Sequence, residues 1–314
     1  MTPAIETHGL SRTFGTTTAV RDFTLTVEQG EMFGLVGPDG AGKSTLIRLL
    51  CGLLKPSGGR SFVLGCNLDT ESEKIKSRIG YLSQNFTLYG DLSVDENLEF
   101  FAEIHNVPSF AARRDELLAF TRLTPFRRRL AAALSGGMKK KLALACALIH
   151  RPDILFLDEP STGVDPISRG EFWNILSGIL SAGITIFMTT PYLDEAERCH
   201  RIGLMHSGGL VRAGSPQEIE RSLSGQVFEI SAANPAEANR ILKLKWPASA
   251  LVRYGNRLHF HARRGESEAS EAAAWLARNG LPETRFTAVA PALEDVFVAE
   301  MREKDEEARP HANV

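Results

Sequence analysis

Residues 37–45 read Gly-Pro-Asp-Gly-Ala-Gly-Lys-Ser-Thr and fit the pattern G-x-x-x-x-G-K-S/T. They follow a compact apolar run at 31–36, which predicts a buried strand, and they lead into helical apolar spacing at 43–53. Glycines let consecutive N–H groups point at a phosphate, and a helix N-terminus adds positive potential there. The segment therefore predicts an ATP phosphate-binding loop, formed by Gly37, Pro38, Asp39, Gly40, Ala41, Gly42, Lys43, Ser44 and Thr45.

Three side chains of this loop have distinct expected roles. Lys43 is predicted to contact the β- and γ-phosphates, and the Ser44 hydroxyl is predicted to ligate Mg²⁺. Asp39 is expected to face solvent, because a carboxylate aimed at the phosphates would weaken their binding. The loop thus predicts binding of ATP together with Mg²⁺.

A second motif is the apolar run Ile-Leu-Phe-Leu at 154–157, which ends in Asp158 and Glu159. A carboxylate at the end of a strand beside the phosphate loop can hold Mg²⁺, usually through a water, and we assign this role to Asp158. Glu159 is predicted to polarise the water that attacks the γ-phosphate. Taken alone, two acids after a strand are equally typical of a helix N-cap.

A third motif, Leu-Ser-Gly-Gly-Met at 134–138, precedes three lysines at 139–141. Serine and two glycines at a helix start can form another anion site, although the same residues also make a simple turn. The phosphate loop before it and the acid pair after it favour the functional interpretation. The lysines are expected to form a solvated helix face rather than a nucleic-acid patch.

Composition limits the class of protein. The chain has 314 residues, 43% of them apolar, and a net charge of −2, which indicates two ordinary soluble domains without a bulk attraction for nucleic acid or anionic lipid. Its four cysteines lack metal-like spacing and are expected to be buried thiols in a reducing compartment. The N-terminal segment has no signal pattern and no apolar run reaches 18 residues, so neither export nor membrane spanning is expected.

The order of apolar patterns predicts two domains. Residues 1–223 alternate strands with helices, which predicts an α/β domain with a mostly parallel sheet, a turn at Gly58-Gly59 and an inserted helical subdomain at about 91–141 that starts from a Ser93-x-x-Glu96 capping box. Residues 224–302 predict β-α-β-β-α-β, the order of a small ferredoxin-like α+β domain. The charged segment 303–314 is expected to be disordered.

Over residues 5–221 these motifs together resemble the ATP-binding cassette family, the ATPase subunits of ABC transporters. The resemblance implies a P-loop NTPase cassette with a mixed sheet, and it implies that Phe14 stacks on adenine. It also implies that Gln84 contacts Mg²⁺ and couples hydrolysis to the transport partner. The signature segment would complete the ATP site of the other subunit in a head-to-tail dimer, and it comprises Ser135, Gly136 and Gly137.

Two further segments resemble the subgroup that drives ABC-2 type exporters, including drug-efflux ATPases. They are Leu-Asp-Glu-Ala-Glu at 193–197 and Leu-Glu-Asp-Val-Phe at 293–297. The resemblance implies an integral-membrane ABC-2 type permease as a partner, and a second ATPase subunit or domain. It places the chain in the cytoplasm, on the inner face of the cell membrane through the permease. The apolar residues Phe86, Leu88 and Tyr89 could receive a coupling helix of that partner.

The chain departs from the family at Pro191, where the family has a histidine that contacts the γ-phosphate. Proline has no side-chain donor, so that contact cannot be made. One interpretation is a weakened, slow hydrolysis site. The other is that Glu159, Lys43 and Mg²⁺ supply most of the charge stabilisation without it.

Two other functions remain open from the sequence. A soluble cassette ATPase that acts on nucleic acid or ribosomes usually carries a long coiled-coil insertion or two cassettes in one chain, and neither pattern occurs here. The near-neutral charge also argues against binding a phosphate backbone. Alternatively, the chain is one half of a tandem pair, in which Pro191 marks the impaired half. The transported substrate is not encoded in any motif of this chain.

Overall fold

A computed structural model describes residues 2–85, 88–255 and 257–308, and the chain divides into two compact units after Leu210. Within the described residues, unit one contains two sheets and unit two contains one. The division precedes the domain boundary predicted after residue 223. The reason is that helix α8, Pro216–Arg221, packs on the last helix of the chain and so belongs with unit two.

The first sheet of unit one is antiparallel, with the order β2-β1-β4-β5. Its strands are β1 (Ile5–Phe14), β2 (Thr17–Val27), β4 (Gly58–Val63) and β5 (Cys66–Asn67). The predicted turn at Gly58-Gly59 is wrong. Both glycines begin β4, where a side chain on Gly59 would lie 2.3 Å from the Gly9 carbonyl oxygen, so glycine there permits close approach of two backbones.

The second sheet of unit one is parallel and carries the strands that lead to the predicted site. Its order includes β9-β3-β8-β7-β6, and β3, β7 and β8 are buried along their whole length. Such strands are covered on both faces and read as continuous apolar runs, as the sequence indicated. The strands are β3 (Met32–Val36), β6 (Ile79–Leu82), β7 (Ile154–Asp158), β8 (Thr185–Thr190) and β9 (Arg201–His206), and β10 (Gly209–Gly214) follows them.

The helices of unit one cover this sheet and form the predicted insertion. The Ser93 capping box is confirmed: the Ser93 side chain accepts from Glu96 N, and the Glu96 carboxylate accepts from Ser93 N. The helices are α1 (Lys43–Leu50), α2 (Leu68–Ile75), α3 (Val94–Ile104), α4 (Phe110–Phe120), α5 (Gly136–Leu148), α6 (Pro166–Ser181) and α7 (Leu193–Ala196). The helices α3 and α4 both pack on α5.

Unit two has the predicted ferredoxin-like topology. Its strands form an antiparallel sheet with the order β12-β13-β11-β14, and helices α9 and α10 connect them in the order β-α-β-β-α-β. The elements are β11 (Gln226–Ser231), α9 (Pro235–Leu242), β12 (Leu251–Tyr254), β13 (Arg257–Ala262), α10 (Glu266–Arg278) and β14 (Arg285–Val289). Phe260, Leu258 and Leu276 lie in its apolar core.

The chain's last described element is helix α11, Leu293–Ala308. It continues past Arg302, so the expected disorder from residue 303 is wrong as far as Ala308, and residues 309–314 lie outside the described residues. Its acidic first turn, with Glu294 and Asp295, suits a helix N-terminus. Across the three described stretches, every helix is too short or too polar to cross a bilayer.

Two histidines stack where α3 and α5 end. The ring centroids of His105 and His150 are 3.9 Å apart, with the planes 9° from parallel. His150 Nε2 lies 2.9 Å from the Ile79 carbonyl oxygen, and its buried Nδ1 has no hydrogen-bond partner among the described residues. Burial, together with the neighbouring His105, lowers the pKa of His150 to about 4. A neutral imidazole is therefore built into this junction.

This neutral histidine should make the protein less stable in mild acid. The ordinary histidine pKa is about 6.5, so between that value and about pH 4 the unfolded chain binds a proton at His150 that the folded chain does not. The contribution of neutral His150 to the free energy of unfolding is complete above about pH 6.5 and is lost as the pH falls. We expect His150→Gln to show a smaller drop in melting temperature than wild type between pH 7.5 and pH 5. A drop in His150→Gln as large as that in wild type would contradict the assignment.

Candidate functional site

A cavity of about 640 Å³ lies in unit one at the carboxyl edge of the parallel sheet. Strands β3, β7 and β8 all end beside it, because parallel strands present their carboxyl ends at one edge. Most of the predicted loop meets Gln84 and Glu159 here, two of the residues predicted from other segments. Its lining comprises Ala19, Asp39, Gly40, Gly42, Lys43, Ser44, Thr45, Gln84, Glu159, Thr162, Pro191 and Tyr192.

The loop after β3 is held in a fixed curve. Ala41 N donates to Pro38 O at 3.2 Å, and Leu46 N donates to Gly42 O at 2.9 Å, which starts α1. Gly42 is the N-cap of α1 with φ +105°, and no described side chain caps this helix start. The first N–H groups of α1 are thus left for a ligand, as in other anion sites at helix N-termini. Asp39 is exposed at the cavity rim, in agreement with the sequence analysis.

Lys43 lies across the loop and is almost completely buried. Its Nζ donates to the carbonyl oxygens of Gly37 and Pro38 at 2.9 and 3.1 Å. It also forms an ion pair with Glu159, with Nζ 3.2 Å from Oε1. Lys43 therefore lines the cavity, and three oxygen atoms of the protein hold its ammonium group in place.

Glu159 follows β7 in a left-handed backbone conformation, with φ +49°. Its N–H donates to Thr189 Oγ1 at 3.1 Å, which fixes the turn, and Gln84 Nε2 donates to its Oε2 at 3.0 Å. A left-handed glutamate is an uncommon, strained state that the surroundings must impose. The carboxylate is thus held between Lys43 and Gln84.

Asp158 directly precedes Glu159 and is the last, buried residue of β7. Its Oδ1 accepts from Ser44 Oγ at 3.0 Å and from Thr189 Oγ1 at 2.8 Å. A hydroxyl and a carboxylate oxygen are the hard donors that Mg²⁺ prefers, and they lie at the start of the phosphate-binding helix. The donor set therefore fits a magnesium ion.

Gln84 links this site to helix α5. Lys140 Nζ donates to the Gln84 backbone carbonyl at 3.2 Å, and burial lowers the pKa of Lys140. Lys141 is also buried and pairs with Glu171 of α6. The expectation of a fully solvated lysine face is therefore wrong for Lys141, because α5 packs against α6 on that side.

Eight predicted residues do not line the cavity: Gly37, Pro38, Ala41 and Asp158, which belong to the loop and to β7 beside it, and four from other segments. Phe14 is 44% exposed, and the Arg12 guanidinium lies 4.5 Å from its ring centroid. Ser135 caps α5, and its Oγ accepts from Met138 N at 3.3 Å. Gly136 lines a separate cavity of about 510 Å³ beside Gln84 and Leu88, and Gly137 is buried at the same helix start. Phe86, assigned above to a partner groove, lies outside the described residues.

The structure adds side chains that the sequence analysis missed. Thr189 holds both Asp158 and Glu159, and Thr162 Oγ1 reaches Glu159 Oε2 at 3.5 Å. Tyr192 lines the cavity next to Pro191. Thr189 lies at the end of β8, and Thr162 and Tyr192 follow β7 and β8 closely. This position was the available signal, because side chains at these strand ends share one sheet edge.

Comparison with known proteins agrees with this geometry. The sequence model of the family described as "ABC transporter" matches residues 20–162. The daunorubicin/doxorubicin resistance ATP-binding protein DrrA of Streptomyces peucetius is 35% identical over 95% of this chain and 92% of its own length. The chain belongs to the ABC transporter family. Its first unit is accordingly a P-loop cassette of that family, as the resemblance implied.

Two other similarities place this cassette among its relatives. The "Probable multidrug ABC transporter ATP-binding protein YbhF" of Escherichia coli is 39% identical over 89% of this chain, but the chain spans only 48% of YbhF. A solved structure described as a dimeric bacterial ABC transporter cassette, MJ0796, is 26% identical with a TM-score of 0.61, over 67% of this chain and 98% of that one. The chain thus spans about half of one relative and nearly all of another.

Proposed function

We propose that this chain binds ATP with Mg²⁺ and hydrolyses it to power a membrane exporter. The observation that carries the proposal is the meeting of Lys43, Glu159 and Gln84 in one cavity with the phosphate loop. Lys43 and the α1 N-terminus supply positive potential for the triphosphate, and Glu159 supplies a carboxylate for the attacking water. Other P-loop proteins share the positive potential around the triphosphate. The Glu159 carboxylate is the feature that assigns hydrolysis to this site.

The contacts of Lys43 indicate the order of events. An arriving γ-phosphate competes with Glu159 for the Lys43 ammonium group, because a polyphosphate carries the greater negative charge. Glu159 is then released to accept a hydrogen bond from water. The water oxygen attacks the γ-phosphorus, the bond to the β–γ bridging oxygen breaks, and ADP leaves with that electron pair. Glu159 receives or orients the proton of the water, and Gln84 keeps the carboxylate in place.

Ser44 and Asp158 would hold the magnesium ion, and Gln84 would reach it with its amide oxygen. The ion supplies charge neutralisation for the β- and γ-phosphates when it is bound. Thr189 keeps the Asp158 carboxylate oriented toward Ser44. Phe14 would stack on adenine; it is 44% exposed, and the Arg12 guanidinium lies against its ring.

The wider assembly is part of the proposal. The chain would act as a head-to-tail dimer, in which Ser135, Gly136 and Gly137 of each subunit complete the partner's ATP site. The dimeric description of MJ0796 and the placement of these residues away from their own cavity support it. Because the chain spans half of YbhF, a second cassette in a longer polypeptide could equally serve as the other half.

The proposed transport partner is an integral-membrane ABC-2 type permease, with small molecules such as drugs as cargo. The names of DrrA and YbhF support this choice over a cassette ATPase that acts on nucleic acid or ribosomes. The chain would then lie in the cytoplasm on the inner face of the membrane. Purification of the tagged chain in detergent should recover a multi-spanning protein, whereas recovery of ribosomes or nucleic acid would support the alternative.

The hydrolysis proposal is tested by Glu159→Gln. Removing the carboxylate should lower ATP turnover by at least about 100-fold, since general-base catalysis contributes about 10²–10⁴-fold. Binding of ATP should persist, because the phosphate loop is unchanged. Phosphate release with Mg²⁺ measures turnover, and a fluorescent nucleotide measures affinity. Wild-type turnover no greater than that of Glu159→Gln would leave ATP binding alone.

Pro191 predicts a slow site that can be accelerated. It lines the cavity where the family has a histidine, and it offers no donor for the γ-phosphate. A hydrogen-bond donor aimed at the charge that develops in the transition state raises the rate about 10²-fold or more in comparable sites. We therefore expect Pro191→His to raise turnover by at least about 10-fold. Pro191→Ala is the control, because alanine also lacks a donor. An equal rise in both variants would show that backbone rigidity, rather than the missing donor, limits the rate.

A further inference from the structure

A buried carboxylate, Glu195, lies behind the cavity on the short helix α7, and its side chain is fully buried. Its two oxygens accept from Ser161 Oγ, from Arg169 Nε at 2.7 Å and from Thr190 Oγ1 at 2.7 Å. Burying a carboxylate is costly unless donors of this kind compensate for the lost water. The three hydrogen bonds therefore fix the position of the Glu195 carboxylate.

The three donors come from different segments around the site. Ser161 lies two positions after Glu159, in the loop that also brings Thr162 to the cavity. Thr190 ends β8 and directly precedes Pro191. Arg169 lies in the first turns of α6. One carboxylate thus connects the loop that carries Glu159 to the strand end that carries Pro191.

The same arrangement positions Tyr192 at the cavity. Thr190 Oγ1 accepts from Tyr192 N at 3.0 Å, and the Arg169 guanidinium lies 5.2 Å from the centroid of the Tyr192 ring. Arg169 Nη2 also pairs with Asp194 at 2.7 Å. The cation–π contact and the ion pairs fix the guanidinium plane. They thereby hold the wall of the cavity formed by Pro191 and Tyr192 at a constant distance from the loop that carries Glu159.

We propose that Glu195 and Arg169 are positioning residues for hydrolysis, which set the distance between the Glu159 carboxylate and the Pro191–Tyr192 wall. The proposal rests on the ATPase function proposed above. Pro191 has no donor that could hold the γ-phosphate. The position of the Pro191–Tyr192 wall therefore depends on contacts behind it, and Glu195 and Arg169 supply those contacts. Neither residue contacts the phosphate loop in the described contacts, so losing them should change the rate and spare affinity.

Glu195→Gln tests the proposal. The amide replaces one acceptor oxygen by a donor, which then faces hydroxyl or guanidinium donors. We expect the rate constant kcat for ATP to fall about 10-fold or more, because small misplacements of reacting groups have large effects on rate. The dissociation constant for ATP, measured with Mg²⁺, should stay within twofold. Glu197→Gln is the matched control: it is the same substitution two positions along, at an exposed residue.

Ser161→Ala keeps the test decisive if Glu195→Gln fails to fold, since it removes a single donor and leaves Arg169 and Thr190 in place. We expect a smaller fall in kcat, again without loss of affinity. Wild-type kcat in a folded Glu195→Gln or Ser161→Ala protein would overturn the proposal, and so would a parallel loss of ATP affinity, which indicates a general structural role. Wild-type turnover no greater than that of Glu159→Gln would instead overturn the proposed ATPase function, and the positioning role with it.

Discussion

Lys43→Met is expected to weaken ATP binding by at least about 100-fold. A hydrogen bond between charged groups contributes about 1.5–3 kcal/mol, and 1.4 kcal/mol corresponds to a tenfold change in affinity. Lys43 is placed to make such contacts with two phosphates, and in the structure its ammonium group already lies at the cavity floor. Titration with a fluorescent ATP analogue in the presence of Mg²⁺ measures the loss.

Two further variants separate binding from stability. Lys43→Met leaves the Glu159 carboxylate buried without its ion-pair partner, so the melting temperature should also fall. The double variant Lys43→Met/Glu159→Gln removes both charges and should recover stability without recovering ATP binding. Lys139→Met, at an exposed lysine of α5, should bind ATP as wild type does. Normal affinity in Lys43→Met would refute the assigned phosphate contact.

Gly42→Ala is expected to abolish measurable ATP binding and to lower the melting temperature. A Cβ at this position would lie 2.1 Å from the Ala19 carbonyl oxygen, and the φ of +105° is strained for any other residue. Strain of this kind costs about 1–3 kcal/mol, and the clash with the backbone adds to it, so the loop must move. Its N–H groups would then no longer converge on a phosphate.

Gly40→Ala is the matched comparison within the same loop. Gly40 has φ +80°, but a Cβ added there would meet no atom of the described residues within 4 Å apart from its own chain neighbours, so only the conformational strain remains. We expect a reduction in affinity of about tenfold, from about 1–2 kcal/mol of strain. Thermal melting and nucleotide titration of Gly42→Ala and Gly40→Ala show which variant loses more stability and more ATP affinity. Equal losses would show that the contact with Ala19 does not set the loop geometry.

Structural features that lie within one contiguous segment of the chain are mostly predictable from the sequence. The phosphate loop, the Ser93 capping box and the strand order of unit two are local patterns, or follow from the order of local patterns. Asp158 and Glu159 could be assigned because parallel strands end at one edge of a sheet. Gln84 was assigned only through family resemblance, since the short strand β6 before it has no clear periodicity.

Contacts that bring distant segments together were not predictable in the same way. Glu195 meets Ser161, Arg169 and Thr190 only after α6, α7 and β8 have packed. Likewise, a run of three lysines gives no sign that Lys141 pairs with Glu171, because that pairing depends on how α5 lies against α6. Side-chain partners across packed elements are set by tertiary structure, which a one-dimensional pattern does not encode.

The left-handed backbone of Glu159 has an evolutionary consequence. Glycine or asparagine would adopt φ +49° at lower cost, but either would leave the buried Lys43 ammonium group without its ion-pair partner. Relief of the backbone and loss of the ion pair therefore change the stability of the nucleotide-free chain in opposite directions. A bound phosphate would pair with Lys43 in place of the carboxylate, so the cost of losing glutamate here falls when nucleotide is bound. A lineage that keeps its nucleotide but no longer needs turnover should therefore lose this glutamate before it loses its phosphate loop.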